Sequence, residues 1–173
     1  ITDNTTGTLD KLIDSFCKKI NATRVKYETL SYEHITHANS ISFGKGLIPT
    51  YKIDEAKYLL SFGADFLETW LSPLEYTARF TKMHSIKGKN KGKFVQVEPK
   101  LTLTGGKADE WVPIVPNTNL YLVLGIINYI TKNNLNKNKV PGTFKNLSEF
   151  DLTVTSKLTG ISEESIKKIA IDF

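Results

Sequence analysis

At 173 residues, with 40% apolar and 24% charged side chains, the chain has the size and composition of one water-soluble domain with a real core. A single cysteine, Cys17, excludes an internal disulfide, a Cys-rich zinc site and an iron–sulfur cluster built from this chain alone. The net charge of +5 is not one basic block, and no groove-reading motif or interleaved aromatic platform accompanies it, so nucleic acid is not expected as a partner.

Leu9, Leu12, Ile13, Phe16 and Ile20 recur at helical spacing behind Thr8 as N-cap, predicting a helix from about residue 9 to 20, with Cys17 a buried free thiol on it. Residues 24–29 alternate Val25, Tyr27 and Thr29 and predict a strand. Ser31 then caps a helix that Gly44 and Gly46 break. His34 and His37 share a face of it at i, i+3; with no third ligand in view, they read as surface or capping histidines, as does His84. Tyr58, Leu59, Leu60 and Phe62 form a nearly continuous apolar run, which suits a parallel strand covered on both faces.

Ser72, Pro73 and Glu75 make a capping box, with Leu74, Ala78, Tyr76 and Phe80 as the apolar side of its helix. Lys87, Lys89, Lys91 and Lys93 alternate with glycine and asparagine as a solvated loop, and Lys132, Lys137 and Lys139 lie in a similar stretch. Residues 93–97 predict a third strand. Residues 110–115 predict a fourth, with Pro113 implying an edge or irregular position. Residues 119–134 are apolar nearly all round and predict a deeply packed helix. The run 120–130 contains Gly125 and Asn128 and is too short to span a bilayer. The last helix has Ser162 as cap and an Ile161–Ile166 staple. The opening residues are polar and lack the basic n-region of a secretory signal. Without an initiating Met, the sequence is expected to be a processed or excised piece.

Strands alternating with helices define an α/β layer, expected as a three-layer α/β/α domain of Rossmann type with a mainly parallel sheet over residues 24–29, 58–62 and 93–97. Ligands of such sheets sit at the carboxyl ends of the strands. Two of those ends are chemically marked: Gly63, Ala64 and Asp65 follow one strand, and Glu98, Lys100, Thr102 and Thr104 follow another. Asn117, Thr118 and Asn119 stand at a helix start, where free N–H groups favour an anion. Gly63, Glu98, Lys100 and Thr118 are expected along one rim. Neither GxGxxG nor a P-loop is present, and polar residues at strand ends occur in any α/β domain, so these residues alone leave nucleotide binding open.

The blocks "YLLSFGADFLETWLSP", "VQVEPKLTLTGGKADEWVPIVPNTNLYLVLGI" and "LTGISEESIKKIA" resemble, in order and spacing, the molybdopterin oxidoreductase family. These are the large subunits related to dimethyl sulfoxide, polysulfide and nitrate reductases and formate dehydrogenase. The resemblance implies that residues 1–173 are one domain of a larger subunit, its Rossmann-like third domain. This would hold a guanosine arm of bis-molybdopterin guanine dinucleotide. Carried over by position, the loop 62–69 would line the nucleotide, with Phe62, Gly63, Ala64, Asp65 and Thr69 as the contacts. Glu98, Pro99, Lys100, Leu101 and Thr102 would meet ribose and guanine, and Asn117, Thr118 and Asn119 would close the far side. Asp109, in the family's Ala-Asp, would hold a strand entry.

The chain departs from the family with Glu98 for Asp, Lys100 for Arg, and Pro116-Asn117-Thr118-Asn119 for Pro-Gly-Thr-Asp. The resemblance further implies a parent that performs molybdenum-dependent redox chemistry in anaerobic respiration, on the periplasmic side of a membrane. Its expected partners are its remaining domains, an iron–sulfur electron-transfer subunit and a membrane anchor subunit. No catalytic residue or metal ligand is expected here, and the isolated piece is expected to carry neither cofactor nor metal and to turn over nothing. The alternatives are a cofactor-free scaffold of the same fold in a respiratory complex, and an unrelated nucleotide-binding protein acting alone.

Overall fold

The structure is a computed structural model describing residues 1–3, 5, 7–28, 31–86, 91–135 and 147–173. Contacts divide the chain into two compact units, Ile1–Tyr51 and Lys52–Phe173.

The first unit holds helices α1 (Gly7–Lys19) and α2 (Glu33–Phe43), and neither buries a residue. Thr8 lies inside α1 rather than capping it. The apolar stripe expected to be its core face leaves Leu9, Leu12, Phe16 and Ile20 more than half exposed, and Cys17 is half-buried. The unit is organised by a charge instead. The Arg24 side chain, 7% exposed, donates to Asp10 at 2.9 Å and to Asp14 at 2.7 Å, and its Nε donates to Thr2 Oγ1 at 2.9 Å. This corrects the strand expected at residues 24–29. Lys26 makes only an isolated parallel bridge to Thr2, Val25 and Tyr27 stay exposed, and Thr29 lies outside the described residues. Alternation without an apolar partner for one face does not make a sheet strand. In α2 the capping contact shifts by one residue: Ser31 Oγ accepts from Glu33 N, but Tyr32 holds the N-cap position.

The second unit is an α/β layer around a wholly parallel three-stranded sheet, β1 (Tyr58–Phe62), β2 (Lys93–Glu98) and β3 (Glu110–Pro113), in the order β1-β2-β3. Leu60 lies opposite Val95, and Val97 opposite Val112. The alternation of β2 sends its side chains to two cores. Val95 and Val97 join Leu122, Ile126, Ile166 and Ile169 on the face covered by α4 (Asn119–Lys132), α5 (Leu152–Thr159) and α6 (Glu163–Asp172). Phe94 joins Phe66, Tyr76, Phe80 and Met83 on the face covered by α3 (Pro73–Met83). Helices on both faces are the expected three-layer arrangement. Pro113 ends the edge strand β3, where its missing N–H breaks no ladder.

Three local expectations are corrected. Ser72 and Pro73 begin α3, but the capping box does not form: Ser72 makes no side-chain cap bond, and Glu75 accepts from Arg79 at 2.9 Å. The buried face of α3 is Tyr76, Phe80 and Met83, while Leu74 is 90% exposed and Ala78 also faces out. Helix α4 buries Leu122, Gly125 and Ile126 but leaves Leu120 and Tyr121 exposed, because only one side of it meets the sheet, α5 and α6. There Gly125 admits Thr155 so closely that a Cβ would sit 2.4 Å from its Oγ1. The last helix forms as expected, with Ser162 Oγ accepting from Ser165 N and both Ile161 and Ile166 buried.

Candidate functional site

All three strands run the same way, so the segments after Phe62, Glu98 and Pro113 leave from one edge of the sheet. Gly63, Glu98, Lys100 and Thr118 therefore follow strands that end on one rim. The first segment turns at Gly63, whose φ of +64° is a conformation glycine adopts without strain, and its N–H donates to Val97 O at 2.9 Å. The next residues form a tight coil in which the Asp65 carbonyl accepts from the N–H groups of Glu68, Thr69 and Trp70. Phe66 is driven into the α3-side core and anchors it.

The segment after β2 is stitched to that coil. Thr104 Oγ1 donates to Asp65 Oδ1 at 2.5 Å and accepts from Leu67 N at 3.1 Å, and Thr69 Oγ1 donates to Asp65 Oδ2 at 3.3 Å. Between them lies an open crevice of about 590 Å³, a size that suits a nucleotide-sized ligand. Asp65, Lys100, Leu101 and Thr102, all expected at the site, line it. Glu68, Leu103, Gly106 and Lys107 complete its walls. Glu68 belongs to the 62–69 loop expected to line the site, whereas sequence reasoning missed Leu103, Gly106 and Lys107. "TGGK" after the strand end is the one signal that could have drawn attention to Lys107, since a glycine pair turns the chain back toward the edge.

Glu98 does not fit the ribose-gripping role implied for it. Its residue is 2% exposed and its carboxylate turns inward: Oε1 accepts from Thr102 N at 2.8 Å and Thr102 Oγ1 at 3.1 Å, and Oε2 accepts from Gln96 Nε2 at 2.9 Å. Thr102 Oγ1 in turn accepts from Gly105 N at 3.0 Å. Gly105 closes over the carboxylate, where a Cβ would lie 2.2 Å from Glu98 Oε1. The side chain is a strut for the 99–105 turn, and it is absent from the crevice wall.

The remaining expected residues also stand off the crevice. Phe62 packs against the α4-side core, and Gly63, Ala64, Thr69 and Pro99 belong to the supporting turns. Asn117 adopts a left-handed φ of +63°, Thr118 Oγ1 donates to Val115 O at 2.6 Å, and Asn119 Oδ1 is a buried acceptor that has no partner among the described residues. This third cluster shares the rim but does not wall the crevice.

At the opposite edge, Asp109 performs the structural task expected of it. Its Oδ2 accepts from Phe94 N at 2.9 Å, clamping the β2 entry, and also meets His84 Nε2 at 2.9 Å, while Oδ1 pairs with Lys91 at 2.5 Å. Lys93 pairs with Asp172 at 2.5 Å, so Lys91 and Lys93 are engaged rather than solvated; Lys87, Lys89, Lys137 and Lys139 lie outside the described residues. Burial pushes the Asp109 carboxyl up, but Lys91, the Phe94 N–H and His84 outweigh it and hold it at about 2. A carboxyl depressed on folding stabilises the fold above its ordinary pKa and loses that contribution as pH falls through the folded value. The stability difference between the natural protein and Asp109→Asn, measured by denaturant titration, is therefore expected to be full above about pH 4. It should shrink progressively toward pH 2. A difference independent of pH across that window would show that the charge is not what clamps the strand.

Among the described residues no three His, Cys, Asp or Glu side chains gather as a metal cage, and no helix is long and apolar enough to cross a membrane.

A parallel sheet covered on both faces, with a crevice of charged and apolar side chains where two adjacent strands end, defines an α/β domain of Rossmann-like construction. The particular family follows from the comparisons. The sequence profile of the molybdopterin oxidoreductase family matches residues 2–170, and the chain belongs to that family. The menaquinone reductase molybdopterin-binding-like subunit of Nitratidesulfovibrio vulgaris is 26% identical over 76% of this chain and 19% of its own length. The molybdopterin-containing subunit of the Chrysiogenes arsenatis arsenate respiratory reductase is 27% identical over 71% of this chain and 18% of its own. Acetylene hydratase from Pelobacter acetylenicus superposes with a TM-score of 0.56 at 25% identity, over 70% of this chain and 17% of that one. The chain thus spans about a fifth of the length of the curated relatives it matches.

Proposed function

We propose that this chain is the part of a molybdopterin oxidoreductase large subunit that holds a guanosine arm of bis-molybdopterin guanine dinucleotide. The observation that carries the reading is the crevice between the β1 and β2 exits, held open by the Asp65–Thr104 lock and flanked by Lys100 and Lys107. Its size suits a nucleoside diphosphate, and two ammonium groups suit the diphosphate charge. Lys100 and Lys107 would hold phosphate, Thr102 and the Gly106 backbone would approach the sugar, and exposed Leu101 and Leu103 offer apolar surface to a base. The bound cofactor would supply two-electron redox chemistry at its metal, outside this domain. The role of these residues is to bind and orient one end of it.

The parent would be a molybdenum-dependent oxidoreductase of anaerobic respiration on the periplasmic side of a membrane. It would work with its own further domains, an iron–sulfur subunit and a membrane anchor. Membership of the family and the reductase relatives support this reading. The second reading, a cofactor-free scaffold of the same fold, is favoured by the inward turn of Glu98 and by a relative described as molybdopterin-binding-like. Mass spectrometry and metal analysis of the purified parent separate the two. Guanine nucleotide released together with molybdenum is the expected result, and a parent with neither is the scaffold.

A further inference from the structure

Three carboxylates stand where β1 and β2 end, and the structure leaves one of them for a ligand. Glu98 is buried, and both of its oxygens accept hydrogen bonds from Thr102 and Gln96. Asp65 lines the crevice, but its two oxygens accept from Thr104 and Thr69. Glu68 also lines the crevice; it is exposed, and among the described residues its carboxylate has neither an ion pair nor a hydrogen bond. Lys100 and Lys107, on the facing segment, are likewise without acidic partners among the described residues. One wall therefore presents a free acceptor and the other presents two free cations.

Sugar hydroxyls need an acceptor, and a diphosphate needs cationic donors. A strand-end acid grips ribose only when its oxygens face outward, and in this chain the strand-end acid faces in. We propose that the sugar-gripping role lies with Glu68 rather than Glu98, so that the crevice takes a nucleoside diphosphate with Glu68 on the ribose hydroxyls and Lys100 and Lys107 on the phosphates. This rests on the reading of the crevice as a nucleotide site and assigns the residue that reads the sugar. The coil fits the assignment. The Glu68 N–H donates to the Asp65 carbonyl, which fixes the backbone while leaving its side chain at the rim.

Calorimetric titration of the 173-residue chain with guanosine diphosphate, 2′-deoxyguanosine diphosphate and inorganic pyrophosphate tests this. A charged acceptor on a hydroxyl is expected to favour the ribose form by about tenfold. Glu68→Gln should abolish that preference while leaving pyrophosphate binding unchanged or tighter. Glu98→Gln should keep the preference, and Lys100→Ala with Lys107→Ala should weaken all three ligands by about tenfold or more. Equal affinity for the two nucleotides in the natural chain overturns the assignment, whatever the variants do. A preference lost in Glu98→Gln and kept in Glu68→Gln overturns it as well, yet leaves the nucleotide site standing. Absence of binding by all three ligands at about 1 mM overturns the nucleotide reading itself, and the assignment with it.

Discussion

Phe94→Ala is expected to lower the stability of the Lys52–Phe173 unit by about 3–5 kcal/mol, the range for emptying a buried aromatic site. Phe94 is fully buried, and its ring centroid lies 5.4 Å from both Phe66 and Phe80. Those two rings come from the coil after β1 and from α3, so three segments meet on one side chain. They cannot collapse into the gap together, because Phe66 is tied by the coil that shapes the crevice and Phe80 by its helix. Phe94→Leu keeps most of the volume and should cost no more than about 1.5 kcal/mol. Leu74→Ala, at a position 90% exposed, should stay within about 0.5 kcal/mol of the natural protein. Urea titration with an unchanged slope reads all three. If Phe94→Ala falls within 1 kcal/mol or so of the natural protein, the α3-side core is not packed as described.

Glu98→Ala carries the second large effect, and it separates strut from ligand. Removing the carboxylate takes the acceptor from Thr102 N–H and leaves Gln96 Nε2, which donates to it at 2.9 Å, only the longer 3.5 Å contact to Ala64 O. Stranded donors of this kind cost about 1–3 kcal/mol each, so a loss of roughly 2–4 kcal/mol is expected, less whatever water recovers at the half-buried Thr102. Because the carboxylate pins the turn rather than the whole sheet, the amide of Thr102 should exchange with solvent faster while the amides of β2 keep their protection. An acid placed only to meet a ligand would behave in the opposite way. Its removal would leave stability and exchange untouched in the free protein. Unchanged denaturation and unchanged Thr102 exchange would therefore return Glu98 to the ligand.

Much of the sheet was readable from the chain. The apolar run at Tyr58–Phe62 and the one at Lys93–Val97 are strands with nearly the expected bounds, and Pro113 stands at an edge as its chemistry requires. Residues 24–29 had the same alternation, yet 24–28, the described part, are not in the sheet. What separates the cases is cover. Val95 and Val97 meet three helices, whereas Val25 and Tyr27 meet solvent while Arg24 draws its neighbours around a charge. Caps read from local pattern fared unevenly for a related reason. Ser162 caps α6 as expected, but Glu75 is diverted from its box by Arg79, a partner one turn away on the same helix.

The chain by itself determined which segments end on the rim, since hydrophobic period and the glycine turns fix where each strand stops, and parallel connections put those ends on one side. It placed Asp65, Lys100 and Thr102 there, and all three line the crevice. The inward turn of Glu98, the free carboxylate of Glu68 among the described residues and the lining of the crevice by Lys107 were decided only by the tertiary structure. An acid at the end of a central strand is satisfied by whatever donors lie nearest, and here the following turn folds Thr102 and Gly105 back over it. Sequence spacing specifies which residues are close along the chain. Which oxygen finds a donor first depends on distances of a few tenths of an ångström across the fold, and those exist only once the two loops have packed.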